Sequence, residues 1–209
     1  MKAALLLLCV TLGVVSCKKK EPEVKEKAET KSVTNKDVSD YGKWYYFSFA
    51  KGDFVGEGDV DPEKGDDAAW KKRTDWDIAF HRQNVRTNSG TSGDGKGGVM
   101  MLETADFNTV KEVGANNFTV DVDGEEIMKS AKMPPEKVKS SLNKEVDKWY
   151  AYNHDTKVWS LTKKNVFIVK TADGKYAKVQ FVNCLNDENK SGFISFKYAY
   201  QKDGTLLFE

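Results

Sequence analysis

Apolar and polar positions alternate along this chain in short runs, and most of the runs have the length of a β-strand. Trp44–Phe49 is six residues, mostly of strand-forming type. Over Trp76–His81 the side chains of Trp76, Ile78 and Phe80 point one way and those of Asp77, Ala79 and His81 the other, the period of a half-buried strand. Val99–Leu102 is a further apolar run. Asn117–Val122 alternates with Phe118, Val120 and Val122 on one face, and Asp123-Gly124 after it is a turn signal. Asn165–Thr171 and Tyr176–Val182 flank Asp173-Gly174 and predict a hairpin. Gly192–Tyr200 predicts another strand, and Thr205–Phe208 a short last one. A single stretch reads as a helix. From Pro134 to Trp149, the residues Val138, Leu142, Val146 and Trp149 fall at spacings of four, four and three, one stripe on a polar cylinder. Proline near its start suits a first helical turn. The prediction is a mainly β fold: a single β-rich domain with a minor helical part.

Between the strands at Trp76–His81 and Val99–Leu102 lies a glycine-rich loop, with five glycines from Gly90 to Gly98. Gly93, Gly95 and Gly98 match G-x-G-x-x-G in form, and Gly95-Lys96 matches part of a phosphate-loop pattern. Both motifs need a helix directly after the loop, because its N-terminus supplies the N–H groups and the dipole that hold phosphate. A strand-like run follows instead, so the loop reads as a flexible connection.

The N-terminus adds a second device. Residues 1–16 have the short positive start and the apolar core of a secretory signal. Val14-Val15-Ser16-Cys17 resembles a bacterial lipobox, which implies cleavage before Cys17 and lipidation of that residue. Residues 17–37 then read as a charged flexible tether and residues 38–209 as the folded domain. Cys9 would leave with the signal and Cys17 would be acylated, so Cys184 has no partner for an intramolecular disulfide. With 33 basic against 32 acidic residues there is no basic excess to hold nucleic acid, and no nucleic-acid partner is expected.

No nucleophile stands visibly beside a base, so no enzymatic activity is expected. The chain has two histidines. His81, on a predicted strand, reads as a structural histidine, and His154 lies in a polar loop, where exposed functional groups are commoner.

The order of the aromatic strand Trp44–Phe49, the Trp76-Asp-Ile-Ala-Phe-His-Arg82 segment, the glycine loop ending at Gly98 and the late hairpin through Thr171–Phe181 resembles the HmuY-like haemophore lipoproteins of Bacteroidetes. The resemblance implies a β-rich protein that is lipid-anchored at the outer membrane or cell surface. It implies capture of one haem b, with host haemoproteins as source and an outer-membrane haem transporter as recipient. It also implies two axial ligands on a pair of loops, in the region from Val122 to Trp159. His154 falls near one family ligand. Met133 is the favoured second ligand, with Met128 as the alternative, and Tyr150, Tyr152 and Trp159 are candidates to stack on the porphyrin. The competing readings are a structural or adhesive surface lipoprotein without a haem ligand, and a glycan-binding module using Trp44, Trp70 and Tyr45.

Overall fold

The computed structural model describes residues 27–104, 106–114, 117–162 and 165–208. The signal sequence, Cys17 and the first part of the tether lie outside the described residues. In chain order the elements are β1 (Thr30–Asp37), β2 (Lys43–Ser48), β3 (Asp53–Asp59), α1 (Asp66–Lys72), β4 (Ile78–His81), β5 (Asn84–Thr87) and β6 (Gly98–Leu102). There follow β7 (Val122–Met128), β8 (Lys137–Leu142), β9 (Tyr150–Asn153), β10 (Val158–Leu161), β11 (Val166–Lys170), β12 (Tyr176–Leu185) and β13 (Ser191–Gln201). Single 3-10 turns occupy Pro62–Lys64 and Val146–Trp149.

Two antiparallel sheets make the scaffold. One has the strand order β1-β13-β12-β11-β6 and the other β3-β2-β4-β5. Their facing sides enclose the main core: Phe47, Ile78 and Phe80 from the smaller sheet meet Phe167, Val179, Phe181 and Phe196 from the larger. Each sheet is covered on its outer side as well. Val166 and Ile168 of β11 enter a second core with Phe107, Val110 and Phe208. Ala79 of β4 enters a third core with Trp44, Tyr46, Trp70 and Trp76. A strand buried on both faces has no need of polar alternation, which explains the unbroken Val166-Phe-Ile-Val169. It also corrects the half-buried reading of β4, every residue of which is buried. Trp76 precedes the strand and joins the third core, while Ile78 and Phe80 face the main one.

Three local expectations are corrected. The tether does not extend to Asp37, because Thr30–Asp37 is β1 and pairs along β13 from Thr30↔Ala199 to Asp37↔Phe193. Edge pairing uses backbone groups, and Asn35 N–H adds a bond to Ser195 Oγ (2.8 Å), so a polar strand can dock where its composition suggests a linker. The predicted helix over 134–149 is instead β8 followed by the 3-10 turn. Val138 and Leu142 are four apart, an even spacing that puts them on one side of a strand as well as of a helix, and β7 supplies the pairing partner. Asn117–Val122 is not a one-faced strand. Thr119 alone bridges to Val99, Val120 and Val122 are exposed, and Asp121 between these two is buried. Asp123-Gly124 lies inside β7, where the register with β8 slips, and is not the hairpin turn.

The glycine-rich loop is a knot. Asn88 Nδ2 donates to the carbonyls of Arg73 (2.8 Å) and Trp76 (3.0 Å), and its Oδ1 accepts the Gly95 N–H (2.9 Å). The N–H groups of Asp94, Lys96 and Gly97 donate to the carbonyls of Lys71, Ala172 and Asn88. Donors bonded inward in this way cannot cradle a phosphate. Asp121 secures the start of the loop by accepting the N–H (2.7 Å) and hydroxyl (2.6 Å) of Thr87 and the amide of Asn143 (2.9 Å). Gly90 sits against it at φ +53, and a Cβ there would lie 2.2 Å from the Asp121 carbonyl oxygen. Gly90→Ala is therefore expected to cost about 2–4 kcal/mol of stability, read as a lower urea midpoint with an unchanged slope.

Candidate functional site

Two hairpins stand off the scaffold as separate two-stranded sheets, β7–β8 and β9–β10. They carry the residues expected to form the site.

The first hairpin is fastened on one side only. Ile127 and Leu142 are buried in the third core, with Val138 packed beside them. Its far end closes through Lys129 N–H on the Glu136 carbonyl (2.8 Å). Lys129 also pairs with Asp61 at 3.0 Å. Met133 lies at the tip, 91% exposed, and Met128 at the end of β7 is 37% exposed.

His81 ties this hairpin to the scaffold. Its ring is 1% exposed, with Nδ1 3.1 Å from the Lys43 carbonyl oxygen and Nε2 2.9 Å from that of Met128. Trp44 packs against it at 5.5 Å. Only an imidazolium has two N–H groups for two carbonyls. Burial pushes the His81 pKa below its ordinary value and the Arg82 and Arg86 charges add to that, against the opposing pull of the two carbonyls. His81 is thus a neutral structural group at pH 7, donating one bond.

The second hairpin turns at His154. Asn153 Oδ1 accepts the N–H groups of Asp155 (2.9 Å) and Thr156 (3.0 Å), an Asx turn that leaves His154 exposed at the tip. From there a ladder of rings runs down to the main core. His154 meets the Tyr152 ring edge-on at 5.0 Å, Tyr152 meets Trp159 at 4.6 Å, and Trp159 meets Tyr150 at 5.3 Å. Tyr150 contacts Trp149 at 5.3 Å, and Trp149 stacks on Phe181 at 4.2 Å. Trp149 is itself pinned by Nε1 donating to the Gln83 carbonyl (2.9 Å). Burial, and then Asp147, pushes the Tyr150 hydroxyl well above the usual phenol range, so it stays protonated.

The structure thus brings His154 together with Tyr150, Tyr152 and Trp159. It places Met133 and Met128 on the other hairpin, and the described contacts of His154 reach neither methionine. A further feature escaped the sequence pattern. Among the described residues six large apolar side chains are exposed, and Val120, Val122, Met128, Met133 and Val158 all lie on the two hairpins or the segment leading into them. Periodicity put Val120 and Val122 on a core face, and nothing in the residue pattern marks them as solvent-facing. The sugar-platform reading loses two of its three aromatics: Trp44 is fully buried, and Trp70, on the inner side of α1, is buried and stacked on Tyr46 at 3.8 Å, while Tyr45 is half-buried.

The family model for HmuY protein matches residues 40–198, a span that includes both hairpins. The chain belongs to the HmuY family. Solved structures of similar architecture come from Bacteroidetes. Apo PinO from Porphyromonas gingivitis is 26% identical with a TM-score of 0.67, over 84% of this chain and 99% of that one. The apo HmuY analogue of Tannerella forsythia is 24% identical with a TM-score of 0.66, over 86% and 99%. A candidate HmuY-like haem-binding protein of Bacteroides vulgatus is 23% identical with a TM-score of 0.67, over 85% and 96%. No curated protein matches the chain.

Within this HmuY-family fold the buried His81 has a measurable signature. The unfolded chain protonates its histidines near pH 6.5, while folded His81 resists protonation. Below pH 6.5 the unfolded state binds the extra proton and stability falls with pH until the lower folded pKa is passed. The loss of urea stability between pH 7.5 and 5.5 is expected to be larger in the wild type than in His81→Gln.

Proposed function

We propose that this HmuY-family protein is a non-enzymatic haemophore that takes haem b between the β7–β8 and β9–β10 hairpins. The observation that carries the reading is that five of the six exposed large apolar side chains among the described residues lie on those hairpins or the segment leading into them, and the second hairpin carries the Tyr150–Trp159–Tyr152 ladder. Such a surface is costly to leave in water and suits a flat apolar ligand.

The donor set fits a haem iron. Imidazole and thioether are ordinary axial ligands, and both stand exposed at hairpin tips as His154 and Met133, with Met128 the alternative thioether. A His/Met pair raises the iron potential relative to His/His. Tyr152 and Trp159 would supply aromatic surface for the porphyrin, and Val122 and Val158 would help exclude water around it. The protein performs no chemistry on the haem. In this reading it is lipid-anchored through Cys17 at the outer membrane or cell surface, draws haem from host haemoproteins and delivers it to an outer-membrane haem transporter.

Titration of a Cys17→Ser form with haemin tests the proposal. A saturable Soret change at one haem per chain is expected, and its absence in both the ferric and ferrous states would leave a surface lipoprotein that shares the fold without the ligand. His154→Ala and Met133→Ala should each shift the spectrum and weaken binding by about tenfold or more, as loss of an interaction of roughly 1.4 kcal/mol does. A spectrum unchanged in either variant removes that residue from the iron.

A further inference from the structure

The outer face of the large sheet holds a lysine where its neighbours are apolar. Lys178, in the middle of β12, is 3% exposed within the core of Phe107, Val110, Ala199 and Phe208. Its ammonium donates to the carbonyls of Phe107 (2.8 Å) and Val110 (2.7 Å) and lies 4.3 Å from the Phe107 ring centre. An ammonium has three N–H donors, and the two carbonyls account for two. Burial, with Lys197 adding repulsion and Asp106 opposing it, brings its pKa down to about 8, so the group is charged at neutral pH. No carboxylate lies within ion-pair distance of it among the described residues, and a buried charge without a counter-ion is costly.

Lys178 lines a recess of about 390 Å³ whose other walls include Lys27, Thr30, Asn108, Lys111 and Phe208. The C-terminal segment builds one wall, through Phe208 N–H on the Lys111 carbonyl and Val113 N–H on that of Leu206. Lys27 and Lys111, like Lys178, form no described ion pair, although lysines elsewhere, such as Lys64 and Lys129, sit 3.0 Å from a carboxylate. Acidic residues stand close in the chain, Glu29 beside Thr30, Asp106 two before Asn108 and Glu112 beside Lys111, but none of them lines the recess. Among the described residues the lining thus gathers three lysines, a hydroxyl and an amide, and no carboxylate.

We propose that this recess is an anion site for a phosphate group, held by the ammonium groups of Lys27, Lys111 and Lys178. Bonds to two carbonyls and a ring explain why Lys178 can be buried, but they do not account for Lys27 and Lys111 lining the same recess. The recess also adjoins the point where residues 1–26, with Lys18, Lys19 and Lys20, join the domain. Two sources of phosphate fit: an anionic lipid headgroup beneath the domain, or free phosphate. The site is remote in sequence from the hairpins and independent of the haem reading.

The test uses the full mature chain carrying Cys17→Ser. Inorganic phosphate is titrated at constant ionic strength while the backbone amides of residues 27–30 and 106–111 are followed by NMR. Saturable shifts are expected, with affinity weakened by about 25-fold in the double variant Lys27→Gln/Lys111→Gln, since each lysine contributes on the order of fivefold near an anionic group. These rim positions are exposed and unpaired, so the double variant should keep the wild-type urea midpoint. It keeps the proposal testable even where Lys178→Met fails to fold. Shifts that do not saturate, or that the double variant leaves unchanged, overturn the proposal. Vesicle co-sedimentation then separates the sources. A preference for phosphatidylglycerol over phosphatidylcholine vesicles that the double variant abolishes assigns a lipid headgroup, and equal partitioning with the phosphate shifts retained assigns free phosphate.

Discussion

Burial of both sheets on both faces is the constraint on which this fold depends. A two-sheet sandwich ordinarily turns one face of each sheet to water. Here the outer face of the smaller sheet is closed by α1 and by the root of the β7–β8 hairpin, and the outer face of the larger by the ribbon around Phe107 and the C-terminal segment. Polar groups inside such a structure have to be satisfied locally. Asp77 accepts the N–H groups of Phe49 (2.8 Å) and Ala172 (3.0 Å) and so joins the two sheets, though burial pushes its carboxyl up to about 6. Arg86, 1% exposed, pairs with Asp67 at 2.8 Å and lies 4.3 Å over the Trp44 ring. That pair fastens α1 to β5, and removing either partner would strand a buried charge.

The same constraint decides what could be read in the sequence. Strands at the centre of the sheets announced themselves. Val166-Phe-Ile-Val169 and Tyr176–Val182 are rich in β-formers and are separated by Asp173-Gly174, where Gly174 takes φ +89. The edge strands β1 and β3 did not. β1 presents Thr30-Lys-Ser-Val-Thr-Asn-Lys-Asp37, and its partner β13 lies more than 150 residues away in the chain. β3 likewise carries Gly56 and Gly58, which read as turn residues. They are required because Trp70 packs onto the strand so closely that a Cβ at Gly58 would fall 2.6 Å from its ring. A glycine that makes room for a distant tryptophan looks, in sequence, like a glycine that makes a turn.

The false helix has a sharper cause. Spacings of four satisfy both a strand and a helix, so Val138 and Leu142 cannot separate them. Only the last interval, Val146 to Trp149, favours the helical period, and it is realised in the 3-10 turn. The choice is made by β7, whose Ile127 pairs with Val138 and shares the third core with Leu142. The candidate site was legible only in part for the same reason. His154 and its aromatic neighbours are local to one hairpin, and their cross-strand contacts follow from the Trp159↔Tyr152 register. The solvent exposure of Val120 and Val122 depends on Asp121 being drawn inward by Thr87 and Asn143, contacts that no local pattern foretells.

That inward pull bears on how the hairpins can bind a ligand. Asp121, adjoining β7, is fixed by buried bonds, and the root of the β9–β10 hairpin is fixed by Trp149 between Phe181 and the Gln83 carbonyl. The first hairpin is held further out as well, by Ile127 in the third core and by His81 on the Met128 carbonyl. Towards the tips the burial falls away, leaving Met133 with almost its whole surface in water and His154 touching a single ring edge. Segments with few buried contacts open most readily. Anchored strands with loosely held tips allow the tips to move without disturbing either core. Apolar surface is left exposed at both ends of the first hairpin, by Val120 and Val122 at its root and by Met128 and Met133 towards its tip, and it is covered only when something apolar lies against it.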